Sequence, residues 1–270
     1  MKQTTLTNGQ QLILDLLYTY RYGSIELLRN SLGLKNNSGL YQKLEVLIER
    51  GYIGKHYKKD YRLRGMPAAY YLVAKGYKVL KELPDHDSIT DSIIKYSYKD
   101  GMRSESFTTH NLQVYQSAYD FKRLHPGLRF FTARHLSEYE NFPKKLPDGF
   151  LSLTVNGEEQ PKRYFLDIIP EGTPRYVVDK LVSDYNNFFS DGGWADTGSD
   201  FPALLVLTDS GSFEKRLQRQ IRKRQDSIEM DDPHFYTSTL SALKNAHIKD
   251  DVTWSDVTEP DKLLAFDALD

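Results

Sequence analysis

Asp148 and Asp167 are the residues whose type and spacing come nearest to metal chemistry. Pro147-Asp148 precedes an apolar run at 150–155, and Asp167 lies inside a second run, Phe165-Leu166-Asp167-Ile168-Ile169. If the two runs are paired strands, the hairpin brings both carboxylates to one edge. Two such carboxylates can hold Mg²⁺, and a lysine two residues after the second can position or activate a water. Ile169 occupies that lysine position, and the nearest downstream cations are Arg175 and Lys180. The candidate catalytic set is therefore Asp148, Asp167 and Lys180, with Asp148 and Asp167 as candidate metal ligands. The competing expectation is structural, with Asp148 capping a turn and Asp167 on a solvated strand face. No cofactor is expected unless this site is active, and Mg²⁺ if it is.

A second chemistry lies in the charge pattern. Residues 1–83 hold 14 Lys+Arg against 6 Asp+Glu, whereas residues 84–270 hold 22 against 31. The formal net charge of −1 thus hides a basic module joined to an acidic one. Clustered cations attract polyanions, nucleic acid first among them. With no cysteine in the chain, disulfides, thiolate metal sites and a cysteine nucleophile are excluded. No apolar run is long enough to span a membrane, and Met1-Lys2-Gln3-Thr4-Thr5 lacks the apolar stretch of a signal peptide, so a cytoplasmic, membrane-free protein is expected. Neither a phosphate-binding glycine loop nor zinc spacing of histidines is present.

Helical spacing in the basic module predicts three helices. The first covers 8–20, with Leu12, Ile13, Leu16 and Leu17 inward and Thr7 or Asn8 as its cap. Ser24 caps a second, with Ile25, Leu28 and Leu32 inward, and Gly33 turns the chain. The third runs from Asn36-Asn37-Ser38 to about Arg50 on a stripe of Leu40, Leu44, Leu47 and Ile48, and Gly51 stops it. Strands at 52–57 and 67–72 flank a basic turn, and a helix follows at 74–83. This order predicts a winged helix-turn-helix. Its third helix would enter the major groove, presenting Asn37, Ser38, Tyr41, Gln42 and Lys43 to base edges. Lys55, Lys58, Lys59, Arg62 and Arg64 on the wing would contact phosphates or the minor groove. A solvated charged face serving protein contact is the alternative.

Pro84, Gly101 and scattered Asp and Ser mark 84–106 as a linker with a short helix at 88–96. Beyond it the pattern predicts a helix at 107–124, strands at 128–132, 150–155, 163–169 and 203–207, and helices at 173–189 and 212–228. Asn156-Gly157 is a hairpin signal, and a further strand is expected at 235–239. The expected fold class is α+β or α/β, an N-terminal winged helix (1–83) followed by an α/β sandwich with a mixed sheet (107–250) and an acidic tail (251–270). Lys215, Arg216, Arg219, Arg222, Lys223 and Arg224 form either a second phosphate-binding surface or a solvated face.

Thr109-His110-Asn111-Leu112, Leu146-Pro147-Asp148-Gly149, Phe165-Leu166-Asp167, Gly172-Thr173 and Lys180-Leu181 through Tyr185 accompany the winged-helix pattern. Together they resemble the replication-relaxation family over roughly residues 8–210. The resemblance implies a protein of plasmids or integrative mobile elements, acting in replication or as a relaxosome accessory factor in mobilisation. It also implies a C-terminal domain similar to PD-(D/E)xK nucleases that often lacks a full catalytic set. The expected partners are double-stranded DNA, a relaxase or replication protein, and a second copy of the chain on a repeated site. A winged-helix transcriptional regulator and a Mg²⁺-dependent endonuclease remain the alternative expectations.

Overall fold

The computed structural model describes residues 6–155, 157–230 and 232–269. They divide into two compact units, 1–116 and 117–270, and combine helices with two sheets, one of three strands and one of seven.

In the first unit, α1 (Asn8–Tyr20) is followed by β1 (Tyr22–Gly23), α2 (Ile25–Ser31) and α3 (Ser38–Glu49). Then come β2 (Ile53–His56), β3 (Ala69–Leu72), α4 (Ala74–Lys81), α5 (Asp91–Tyr96) and the start of α6 (Glu105–Leu124). Thr7 caps α1 in a reciprocal capping box with Gln10, and Ser24 caps α2 through the N–H of Leu27. The antiparallel sheet has the order β1-β3-β2. The Arg21-Tyr22-Gly23 segment, expected only to break a helix, supplies its short edge strand, with Tyr22 opposite Tyr71. Ile13, Leu14, Leu17, Leu28, Leu40, Leu44, Leu47, Tyr77 and Leu80 fill the core. The inward face of α1 is therefore rotated from the expected one, and Leu12 is 51% exposed. Ile48, expected in the α3 stripe, also faces outward.

The segment 84–106, expected as a linker, is structured and belongs to this unit. Ile89, Ser97 and Asp100 are buried in it. The Asp100 carboxylate accepts both Nε and Nη2 of Arg21, and its carbonyl accepts the Tyr22 hydroxyl at 2.8 Å. Buried ionic and polar partners of this kind fix a segment, because breaking the pair leaves an uncompensated charge.

In the second unit, the end of α6 leads to β4 (Arg129–Thr132), α7 (Ala133–Leu136), β5 (Gly149–Leu153) and β6 (Lys162–Ile169). Next come α8 (Arg175–Ser190), β7 (Ala203–Thr208), α9 (Gly211–Ser227), β8 (Phe235–Thr239) and α10 (Leu240–Asn245). The chain closes with β9 (Trp254–Asp256) and β10 (Leu263–Leu264). The mixed sheet runs β10-β9-β8-β7-β6-β5-β4, parallel only at β6–β7 and β7–β8, where α8 and α9 are the crossovers. Side chains alternate across it. Phe165, Leu204, Val206 and Phe235 pack with Val178, Leu181 and Val182 of α8 and with Phe213, Leu217 and Ile221 of α9.

On the other face Tyr164 meets Phe266, which also contacts Phe121 of α6 and Trp254. Residues 251–269, expected as an acidic tail, thus add two strands and fully buried rings to this core. In the hairpin signal Asn156-Gly157, Asn156 lies outside the described residues, and Gly157 has a φ of 93°, where glycine is favoured.

His125 is 5% exposed and packs on Phe266, 4.6 Å between ring centroids. Burial lowers its pKa to about 4. Between that value and the ordinary 6.5 the unfolded chain binds a proton that the folded chain does not, so stability falls as pH drops through this window. A His125→Gln variant is expected to show a flatter stability profile between pH 6.5 and 4 in urea titrations.

Candidate functional site

α3 begins without a side-chain cap, so its first-turn N–H groups are open at the positive end of the helix dipole. Its outward face carries Ser38, Tyr41, Gln42, Glu45 and Glu49. The polar residues lie toward the N-terminus and the acidic ones toward the C-terminus. Only the N-terminal end of α3 is therefore compatible with a polyanion. Asn37 is half-buried and its side chain accepts no capping hydrogen bond, while Ser38 Oγ donates to Asn36 Oδ1 at 3.0 Å.

Lys43 departs from its expected place among the outward residues. It is half-buried, its Nζ donates to Gly39 O at 3.4 Å, and its stem lies against Gly9 of α1. Position 43 falls between the buried Leu40 and Leu44 rows, and only a long flexible chain reaches solvent from there.

β2 and β3 form a hairpin joined by residues 57–68, pairing Ile53 with Leu72 and His56 with Ala69. Lys55, Lys58, Lys59, Arg62 and Arg64 are all exposed on it. Their partners differ. Lys55 Nζ lies 5.1 Å from the Tyr57 ring centre and 5.8 Å from that of Tyr70. Arg64 ion-pairs with Asp60 at 3.1 Å and with Glu105 in the first turn of α6, and Lys58 reaches Glu105 at 4.0 Å. The Arg64 guanidinium holds the Glu105 carboxyl below its ordinary range. Among the described residues, Lys55, Lys59 and Arg62 have no acidic partner. Glu105 is the feature that sequence reasoning missed, since nothing in its spacing ties it to a hairpin some forty residues earlier.

In the second unit, β5 and β6 pair antiparallel with Gly149 opposite Leu166, which sets Asp148 beside Asp167 as the hairpin argument expected. Their surroundings differ from a metal site. Asp148 Oδ2 accepts the N–H of Ile168 at 2.8 Å. Asp167 is not on a solvated face. It is 7% exposed, beneath α8, where Oδ2 accepts the Tyr185 hydroxyl at 2.6 Å. Burial and the negative charge of Asp167 hold the Tyr185 phenol well above its ordinary pKa, so it remains a donor.

Lys180 is not brought to the pair. Its ammonium bonds both oxygens of Asp184, at 2.8 and 3.0 Å, on the exposed side of α8. It lies five positions before the inward Tyr185, about 140° around the helix, which turns it away from the sheet. Among the described residues no three His, Asp or Glu side chains are grouped to hold a metal. One oxygen of each aspartate thus has a protein donor, the N–H of Ile168 on Asp148 and the hydroxyl of Tyr185 on Asp167. Tyr185 could have been suspected from the sequence, since it shares the inward stripe of Val178, Leu181 and Val182.

Comparison with known protein families, with curated proteins and with solved structures found no match. No helix among the described residues is long and apolar enough to cross a membrane.

A buried hydrogen bond to a carboxylate contributes about 1.5–3 kcal/mol. Tyr185→Phe is expected to destabilise the chain by about that amount in chemical denaturation. A change under about 0.5 kcal/mol would remove the structural role assigned to the Asp167–Tyr185 pair.

Proposed function

We propose that the chain is a duplex-DNA-binding protein whose first unit is a winged helix-turn-helix and whose second unit is a nuclease-like domain that does not cut. A role in replication or mobilisation of a plasmid or integrative element is what the resemblance to the replication-relaxation family implies. A relaxase or replication protein is then the natural partner.

The observation that carries this reading is the pairing of two features in one unit. The uncapped, non-acidic end of α3 offers Ser38, Tyr41 and Gln42, and the β2–β3 hairpin offers Lys55, Lys59 and Arg62 without acidic partners. Gln42 suits an adenine edge, while the hairpin cations suit phosphates. Asp148 and Asp167 support a binding rather than a cleaving domain, because each already holds a protein donor and Lys180 is held by Asp184 away from them.

The test is retention of a duplex by the full chain across a salt series, with and without Mg²⁺, reading strand breaks on the same gel. The expected result is steeply salt-sensitive binding without breaks. A Lys55→Gln/Lys59→Gln/Arg62→Gln variant should lower the slope of log K against log salt by about two to three, since each lost phosphate contact removes about 0.9. Arg64→Gln should change it less, because Arg64 is held by Asp60 and Glu105. Mg²⁺-dependent breaks abolished by Asp148→Ala would replace this reading with the endonuclease, and salt-insensitive or absent binding would replace it with a protein-docking module.

A further inference from the structure

Residues 215–224 of α9 hold six basic residues and no acidic one, within a unit that is otherwise strongly acidic. Phe213, Leu217 and Ile221 are buried, which turns Lys215, Arg216, Arg219, Arg222 and Lys223 to the outer side, and all five are exposed. At 100° per residue they fall within about a third of the helix circumference and extend over about 12 Å of its axis. The unit's own carboxylates leave them largely unanswered. Arg216 approaches Glu171 only at 3.9 Å, and Arg219 Nε donates to the backbone oxygen of Lys215. Arg224, at the edge, bonds Ser183 Oγ through Nε and Nη2. Lys215, Arg222 and Lys223 have no hydrogen-bond or ion-pair partner among the described residues.

Holding five like charges on one stripe opposes folding through self-repulsion, and intervening glutamates would have relieved it. We propose that this stripe of α9 is a second nucleic-acid contact surface, which takes the sugar–phosphate backbone without reading sequence. Two observations favour a phosphate backbone over an acidic protein segment. Arginine predominates, and its planar fork suits phosphate oxygens in pairs. No large hydrophobic side chain of α9 is exposed, whereas a protein interface needs apolar or aromatic anchors at its centre. The surface is argued from the second unit alone and does not rest on the reading of α3 and the hairpin.

The test uses the full chain and a 30-base-pair duplex of arbitrary sequence. Arg219→Gln/Arg222→Gln/Lys223→Gln is compared with the wild type, with circular dichroism confirming the fold. All three positions are exposed, and among them only Arg219 makes an internal bond, to its own helix backbone. The expected result is a fall of about two to three in the slope of log K against log salt, also seen in a chain that already carries the hairpin substitutions at 55, 59 and 62. An unchanged slope in both backgrounds overturns the α9 surface and leaves the hairpin reading intact. Loss of slope from the α9 variant alone, with the hairpin variant unaffected, supports α9 and overturns the hairpin. Capture of poly-glutamate through these arginines, without capture of the duplex, overturns the proposal in favour of an acidic protein partner.

Discussion

The central strands of the seven-stranded sheet are buried on both faces, and this constraint decides where their polar side chains can go. β6 and β7 run through the centre of the sheet, and Tyr164, Phe165, Leu166, Leu204, Leu205, Val206 and Leu207 are almost wholly inaccessible. Such strands need cover on each side, which α8 and α9 supply on one and α6 with the C-terminal segment on the other. Most polar residues on an inner row then find a protein partner, although Thr208 Oγ1 has none among the described residues. Asp167 finds Tyr185. Thr237 donates to Glu214 and accepts from Gln218, both on α9. Burial accordingly raises the Glu214 carboxyl above its ordinary pKa. The same cover forces the remaining polar side of α9 outward, and its cations with it.

The first unit solves a smaller version of the problem. Its sheet is three short strands, and its core is a helical one closed by Tyr22, Tyr70 and Leu72 from the sheet. The outer side of α3 and the β2–β3 hairpin are not needed for that core, so their composition is free to serve contact. The structured segment after α4 ties back to them. Arg21 and Tyr22 hold Asp100, and Glu105 restrains Arg64 and Lys58. Glu105 thereby divides the hairpin cations into restrained ones and available ones.

Most of the longer elements in both units could be read from residue periodicity, because apolar stripes and caps are local signals, whereas β1, α7, α10, β9 and β10 were not expected. Thr7, Ser24 and Gly51 mark ends where they were expected, and Asp148 and Asp167 meet through simple strand register. What could not be read depends on contacts far apart in the sequence. The rotation of α1 away from Leu12 is set by its packing partners, which take both Leu14 and Tyr18 inward. The segment 84–106 looked like a linker because its burial rests on single residues such as Ile89 and Asp100. The tail looked acidic and loose because Trp254 and Phe266, which anchor it, are sparse among its charges. At the candidate site the register was legible, whereas the Tyr185 donor and the outward turn of Lys180 required knowing how α8 sits on the sheet.

Nucleic acid is the proposed partner of the charges left unanswered inside the chain, and lysine-modification footprinting tests this. The full chain would be acetylated briefly with and without saturating duplex, and each lysine read by mass spectrometry. Exposed Lys55, Lys59, Lys215 and Lys223 should be protected by the duplex, whereas exposed Lys78 and Lys244 should react equally in both samples. Equal reactivity of Lys55 and Lys59 in a sample that retains the duplex would contradict the account, because the DNA would then be held elsewhere.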